Sequence, residues 1–223
     1  MASRYESDMT RKEKMQLEKE KLSKMNFKEK MAYIWEYYKA VIFGIIAVIF
    51  IIGTIVNIHE NAKYYDLVSI AVVDYAGLQD VSPIEEDLKE ALGTGDKYEK
   101  VSIDTSYSFG ENLENADYNT LMKFTAVIAA QSMDVLICSQ AVYDNYSRDD
   151  YFLDLSTLFD EATCEKYGIQ AGDTCLDISK LKKYQDMGLT YYEPCYLTVV
   201  VNTKNADNVA KLIEYLEEDG VNE

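Results

Sequence analysis

The sequence predicts an α/β fold, a mostly parallel sheet with helices on both faces, preceded by one transmembrane helix. Three observations predict it. Residues 40–59 form a run of twenty uncharged residues between Lys39 and Glu60. Beyond that run, short β-branched stretches alternate with amphipathic ones, the pattern of strands joined by helical crossovers. The charge also reverses across it. Residues 1–39 hold ten Lys/Arg against seven Asp/Glu, a net of +3, whereas residues 60–223 hold twelve against thirty-two, a net of −20.

At a rise of about 1.5 Å per residue, twenty helical residues cover roughly 30 Å, the depth of a bilayer's hydrocarbon core. Only a helix satisfies its own backbone there. Trp35, Tyr37 and Tyr38 precede the run, where amphipathic rings favour the headgroup level. The basic lead places the N-terminus in the cytoplasm by the positive-inside rule. A lead of this length and the absence of a small-residue cleavage site in IVNIHENAK argue for an uncleaved anchor. The expected organisation is a cytoplasmic basic helical segment over 1–38, a transmembrane helix over 39–58, and an extracytoplasmic domain over 59–223.

In the lead, Asn26 followed by Glu29 has capping-box spacing, so a helix starting there runs into the membrane. Residues 10–25 are charged all round, and Met15, Leu17, Leu22 and Met25 keep no heptad. That pattern favours a solvated helix with lipid-facing lysines over a coiled coil.

In the outer domain, residues 67–73 (LVSIAVV) read as a strand buried on both faces. Ser82, Pro83 and Glu85 then suggest an N-cap, a first-turn proline and a capping-box glutamate. Ile84, Leu88 and Leu92 give that helix one apolar face, and Gly93 stops it. Residues 101–105 alternate as a second strand. Leu121, Phe124, Val127 and Ile128 stripe a helix over 117–131. Residues 133–138 form a third strand, 140–146 a helix, and 156–159 a short one. Residues 160–190 keep no period. Residues 196–201 form a fourth strand, and Val209, Leu212, Ile213 and Leu216 line the final helix.

Motifs that name a reaction are lacking. His59 is the only histidine, so a Ser-His-Asp triad or a histidine-based zinc helix cannot be assembled. The sequence accordingly predicts no enzyme, no cofactor and no metal site. Gly93-Thr94-Gly95-Asp96-Lys97 has the look of a phosphate-loop fragment, but it follows a helix instead of opening one, which makes it a helix stop and turn. The four cysteines show no C-x-x-C spacing, and Cys164 and Cys175 flank a ten-residue loop as a candidate disulfide. An acidic domain repels phosphate backbones, so nucleic acid is excluded as its partner. Tyrosine is enriched, with nineteen in the chain and fifteen beyond residue 59, yet tyrosines are ordinary strand and surface residues.

Residues 126–158, a helix leading into MDVLIC, a further helix and YFLDLSTLF, resemble extracellular solute-binding proteins of the type 2 periplasmic-binding fold. The later YLTVVVNTKNADNVAKLIEYL resembles the strand and helix by which that family's chain returns. The resemblance implies a reduced, membrane-anchored lobe at a bacterial cell membrane, with the fourth strand antiparallel. It also implies a small-molecule or peptide ligand. Open α/β sheets bind ligands beyond the carboxyl ends of their strands. The candidate ligand-binding residues are therefore Asp74, Tyr75, Ser106, Tyr107, Ser139 and Gln140, joined by Tyr191, Tyr192 and Glu193 if the fourth strand is antiparallel. The expected partners are the lipid bilayer and either that ligand or a membrane protein on which the outer domain docks.

Overall fold

The computed structural model describes residues 9–77, 80–110, 113, 116 and 118–218. They belong to two compact units, Met1–Ala62 and Lys63–Glu223.

The first unit is a helical hairpin. Helix α1 (Arg11–Ser23) is capped by Thr10, and a turn leads into α2 (Phe27–Asn61), an unbroken helix of 35 residues. The Glu29 carboxylate accepts the Asn26 amide N–H at 2.9 Å, as the capping-box spacing predicts. The boundary expected near residue 39 therefore falls inside one helix. The apolar part of α2 is fully exposed and long enough to cross a membrane. No residue of α1 is buried, in keeping with a solvated helix.

The second unit is a three-layer α/β domain. Strand β1 (Tyr65–Val73), helix α3 (Ser82–Leu92), β2 (Glu99–Tyr107), α4 (Tyr118–Ala129), β3 (Val135–Ser139) and α5 (Gln140–Tyr146) follow in the expected order. After a short 3-10 turn at Leu155–Leu158 come α6 (Glu161–Tyr167), β4 (Cys175–Asp177), α7 (Lys182–Met187), β5 (Cys195–Val199) and α8 (Ala206–Glu217). The sheet order is β2-β1-β3-β5-β4. β1 pairs parallel with both β2 and β3, while β5 runs antiparallel to β3 and to β4. Four strands thus share one direction and β5 alone opposes them. The sheet is mixed, and the return strand is antiparallel as the resemblance implies.

Period-two alternation divides the core between the two faces. Val68, Ile70 and Val72 of β1 pack with Leu88 and Leu92 of α3 and with Val209, Leu212, Ile213 and Leu216 of α8. Ala71 and Val73 point the other way, toward Phe124 and Ile128 of α4 and Val142 of α5. Each fully buried side chain of this size contributes about 1.5–3 kcal/mol over leaving it in water.

Two local expectations are corrected. Ser82 does not cap α3 with Glu85. Ser82 instead donates its amide N–H and hydroxyl to Asp80, at 3.1 and 2.9 Å, and the Glu85 carboxylate reaches β2 to accept the Ile103 N–H at 2.7 Å. The glutamate satisfies an edge-strand donor, which a cap would leave open. The second correction is at residues 160–190, which contain α6, β4 and α7. These elements are only 3–7 residues long, too short for a period to emerge from the sequence.

The buried Asp134 ties distant segments together. Its carboxylate accepts the Ser69 N–H at 2.8 Å, the Thr203 hydroxyl at 2.5 Å and the Asn205 side-chain amide at 3.0 Å. The Asn208 side chain also donates to the Leu67 carbonyl at 3.0 Å, which fixes the start of α8 on the central strand.

Candidate functional site

The site predicted from sequence is the edge where β1, β2 and β3 end and β5 begins. The structure brings its residues to that edge but assigns most of them internal work. Asp74 has φ 50° and follows β1. Its carboxylate accepts from the Phe109 and Gly110 amides at 2.8 and 3.0 Å and from the Ser108 hydroxyl at 3.1 Å, so it fastens the loop after β2. Tyr75 packs half-buried on the first core. Ser106 bonds to Asp104 at 2.5 Å and to Lys123. Tyr107 is buried against Phe124, with Lys123 Nζ 4.6 Å from its ring centre and its hydroxyl without a hydrogen-bond partner among the described residues. Burial, then the charge of Asp104, push that hydroxyl's pKa well up.

Ser139 ends β3, and its hydroxyl is likewise buried without a partner among the described residues. Gln140 accepts the Tyr196 hydroxyl at 2.8 Å and donates to Asp144 at 2.9 Å. Among the described residues, these six do not line the cavity at this edge.

Tyr191, Tyr192 and Glu193 do. With Ser179, Tyr184 and Thr190 they line a cavity of about 230 Å³. Tyr191 is 69% exposed at its mouth. Tyr192 turns inward, and its hydroxyl donates to the carbonyls of Val73 at 2.9 Å and Ile137 at 3.4 Å. That phenol bridges the ends of β1 and β3 and fills the place where a ligand would enter the sheet edge. At the cavity floor, Tyr184 and Thr190 hydroxyls lie 2.7 Å apart, and both lie against Cys195 Sγ, at 3.1 and 3.6 Å. Sequence reasoning missed Tyr184 and Thr190, because they come from the segment without periodicity, and Cys195, the first residue of β5.

The chemistry available here is limited. Burial pushes the Cys195 thiol above its ordinary pKa, against the hydrogen bonds from Tyr184 and Thr190, so it is a poor nucleophile. Among the described residues no cluster of three or more His, Cys, Asp or Glu side chains is placed to hold a metal ion. The cavity's hydroxyls on Tyr184, Thr190 and Tyr192 are already bonded to protein.

The candidate disulfide is not formed: all four cysteines are free. Cys164 sits buried on α6 with its thiol toward the Ser156 carbonyl at 3.8 Å, while Cys175 lies in β4 at the far edge of the sheet. Helix and strand present the two side chains to different neighbours. Cys138 is a buried apolar residue of the second core.

The phosphate-loop fragment is occupied from within. The Glu99 carboxylate accepts the Thr94 N–H at 2.9 Å, the Thr94 hydroxyl at 2.8 Å and the Gly95 N–H at 3.2 Å. A Cβ at Gly93 would lie 2.6 Å from both the Glu99 carboxylate and the Lys89 carbonyl, which explains the glycine. The Thr94 hydroxyl, with the loop amides, holds the Glu99 carboxyl below its ordinary range although burial opposes it.

Comparison with protein-family models, with curated proteins and with solved structures finds no match.

Proposed function

We propose that the chain is a bitopic membrane protein whose outer domain is a docking lobe for a protein partner in the same membrane. In this reading α2 crosses the bilayer, the basic N-terminal segment lies in the cytoplasm, and the acidic α/β domain lies outside. The exposed apolar length of α2 and the charge reversal across it support that topology. The lobe is of the solute-binding type, a reading supported by the antiparallel return of β5.

The observation that carries docking over ligand binding is the state of the sheet edge. Pockets for small molecules usually enclose about 300–1,000 Å³ and cover most of the ligand. Here the Tyr192 hydroxyl plugs the edge, the remaining cavity is about 230 Å³, and its inner hydroxyls are satisfied. A single lobe offers only one wall. The first turns of α4 are open instead: Tyr118, Leu121 and Met122 are 74, 38 and 52% exposed, at i, i+3 and i+4. With a net charge of −20 around it, this patch fits a partner that offers an apolar surface rimmed by Lys or Arg.

The test places a photo-crosslinking amino acid at Met122 and, as a control, at exposed Glu86 on α3. The expected result, in intact membranes, is one discrete adduct from the Met122 site that weakens with salt. Equal adducts from both sites, or none, overturn the docking reading. A second reading keeps a small ligand, favoured by the exposed Tyr191 at the cavity mouth. It predicts a ligand-induced thermal shift that Tyr191→Ala abolishes, and such a shift would replace docking with solute recognition.

A further inference from the structure

We infer that the α1–α2 hairpin forms a binding groove for the headgroup of an anionic phospholipid. The inference rests on the reading of α2 as a bilayer-crossing helix. Between the two helices lies a cavity of about 720 Å³ lined by Arg11, Lys14, Glu18 and Lys21 of α1 and by Tyr33 and Tyr37 of α2. Arg11, Lys14, Glu18 and Lys21 follow one another at three- and four-residue steps, so one face of α1 carries all four.

Among the described residues that line the groove, three are cations and one is a carboxylate. That carboxylate is engaged: Glu18 accepts the hydroxyls of Tyr33, at 3.3 Å, and of Tyr38. The two phenols dock α1 back along α2. The depth also fits. Tyr37 and Tyr33 precede residue 40, the first of the uncharged run, by three and seven residues, hence by about 4.5 and 10 Å along the helix. Headgroups occupy roughly the 5–8 Å outside the hydrocarbon core. A phosphodiester at that level meets Arg and Lys donors, and its glycerol backbone meets the tyrosine rings.

The experiment uses the full chain in a nonionic detergent, with equimolar phosphatidylglycerol and phosphatidylcholine, read by native mass spectrometry. The expected result is a preference for phosphatidylglycerol on the order of tenfold, given what a few basic groups contribute near a charged lipid. R11Q/K14Q/K21Q brings the two lipids to parity. K12Q/K19Q/K24Q, which removes as many charges from positions off the groove, leaves the preference intact. Glu18→Gln raises it, a gain that unfolding of the hairpin cannot produce. Parity in the unaltered chain, or equal loss in both triple variants, overturns the groove. Displacement by inorganic phosphate at the lipid's own concentration overturns the lipid in favour of a soluble phosphate. Flotation with neutral vesicles after alkaline extraction tests the span separately: a chain that does not float refutes the anchor, whatever its lipid preference.

Discussion

The hydroxyl of Tyr192 donates to the carbonyl oxygen of Val73 at 2.9 Å, across 119 residues of chain. With the longer bond to Ile137 it closes the crevice between the two parallel strands at the middle of the sheet. Burial pushes this phenol far above the ordinary tyrosine range, so it remains a donor at every working pH. Tyr192→Phe removes the donor and leaves two carbonyls short of a partner. The expected cost is about 1–2 kcal/mol in urea unfolding of the full chain in detergent, with faster hydrogen exchange at the ends of β1 and β3.

The Asp134 carboxylate holds three donors, one from β1 and two from the turn before α8. Asp134→Ala strands all of them in the interior, and about 3 kcal/mol of stability is expected to go. Asp134→Asn keeps one acceptor oxygen and turns an amide toward the remaining donors, so a smaller loss is expected. Equal losses would mean that the side chain's volume matters more than its hydrogen bonds.

Glu99 makes the domain acid-sensitive. Its folded pKa is depressed below the ordinary 4.5, first by the Thr94 hydroxyl and then by the loop amides. A depressed carboxyl contributes stability that is present above its unfolded pKa and is lost as pH falls through its folded pKa. The loss therefore starts below about pH 5 and deepens as the solution becomes more acidic. Glu99→Gln is expected to be less stable at neutral pH and to show a flatter acid limb in melting temperature against pH.

Thiol labelling separates free cysteines from a bridge. Cys138, Cys164 and Cys195 are buried and Cys175 is half-exposed. Native protein treated with a maleimide is expected to modify Cys175 first, with the other three reacting only after unfolding. A Cys164–Cys175 disulfide would instead leave both unreactive in denaturant until a reductant is added.

Much of the architecture is legible in the chain because long periodic runs write their own environment. Residues 67–73 and 133–138 are apolar apart from Ser69 and Asp134, and both runs lie in interior strands buried on two faces. The face of α8 carried by Val209, Leu212, Ile213 and Leu216 is buried as its spacing predicts. The three-residue β4 is held by pairing with β5 and not by its own sequence, so nothing local announces it. The site was legible only as an edge. Asp74, Ser106 and Gln140 lie there, but hydrogen-bond partners 35, 17 and 56 residues away decide what they do. Such partners are a property of the fold. Glu85 and Glu99 teach the same lesson from the other side, since a capping-box spacing and a glycine loop each met a tertiary acceptor or donor that outcompeted the local one.

The bonds from Asn208 to Leu67 and from Tyr192 to Val73 join positions 141 and 119 residues apart. A chain emerging N-terminus first thus completes β1, β2 and β3 long before α8 exists to cover β1 and β5 exists to pair with β3. Loop-closure entropy must be met before those late contacts reward it. During synthesis the nascent outer domain presents the unpaired edge of β3, the kind of strand most prone to pair with a neighbouring chain. The last fifth of the sequence therefore acts as the clasp of the domain, and a ribosome that stalls before residue 195 leaves an open sheet for quality control to clear.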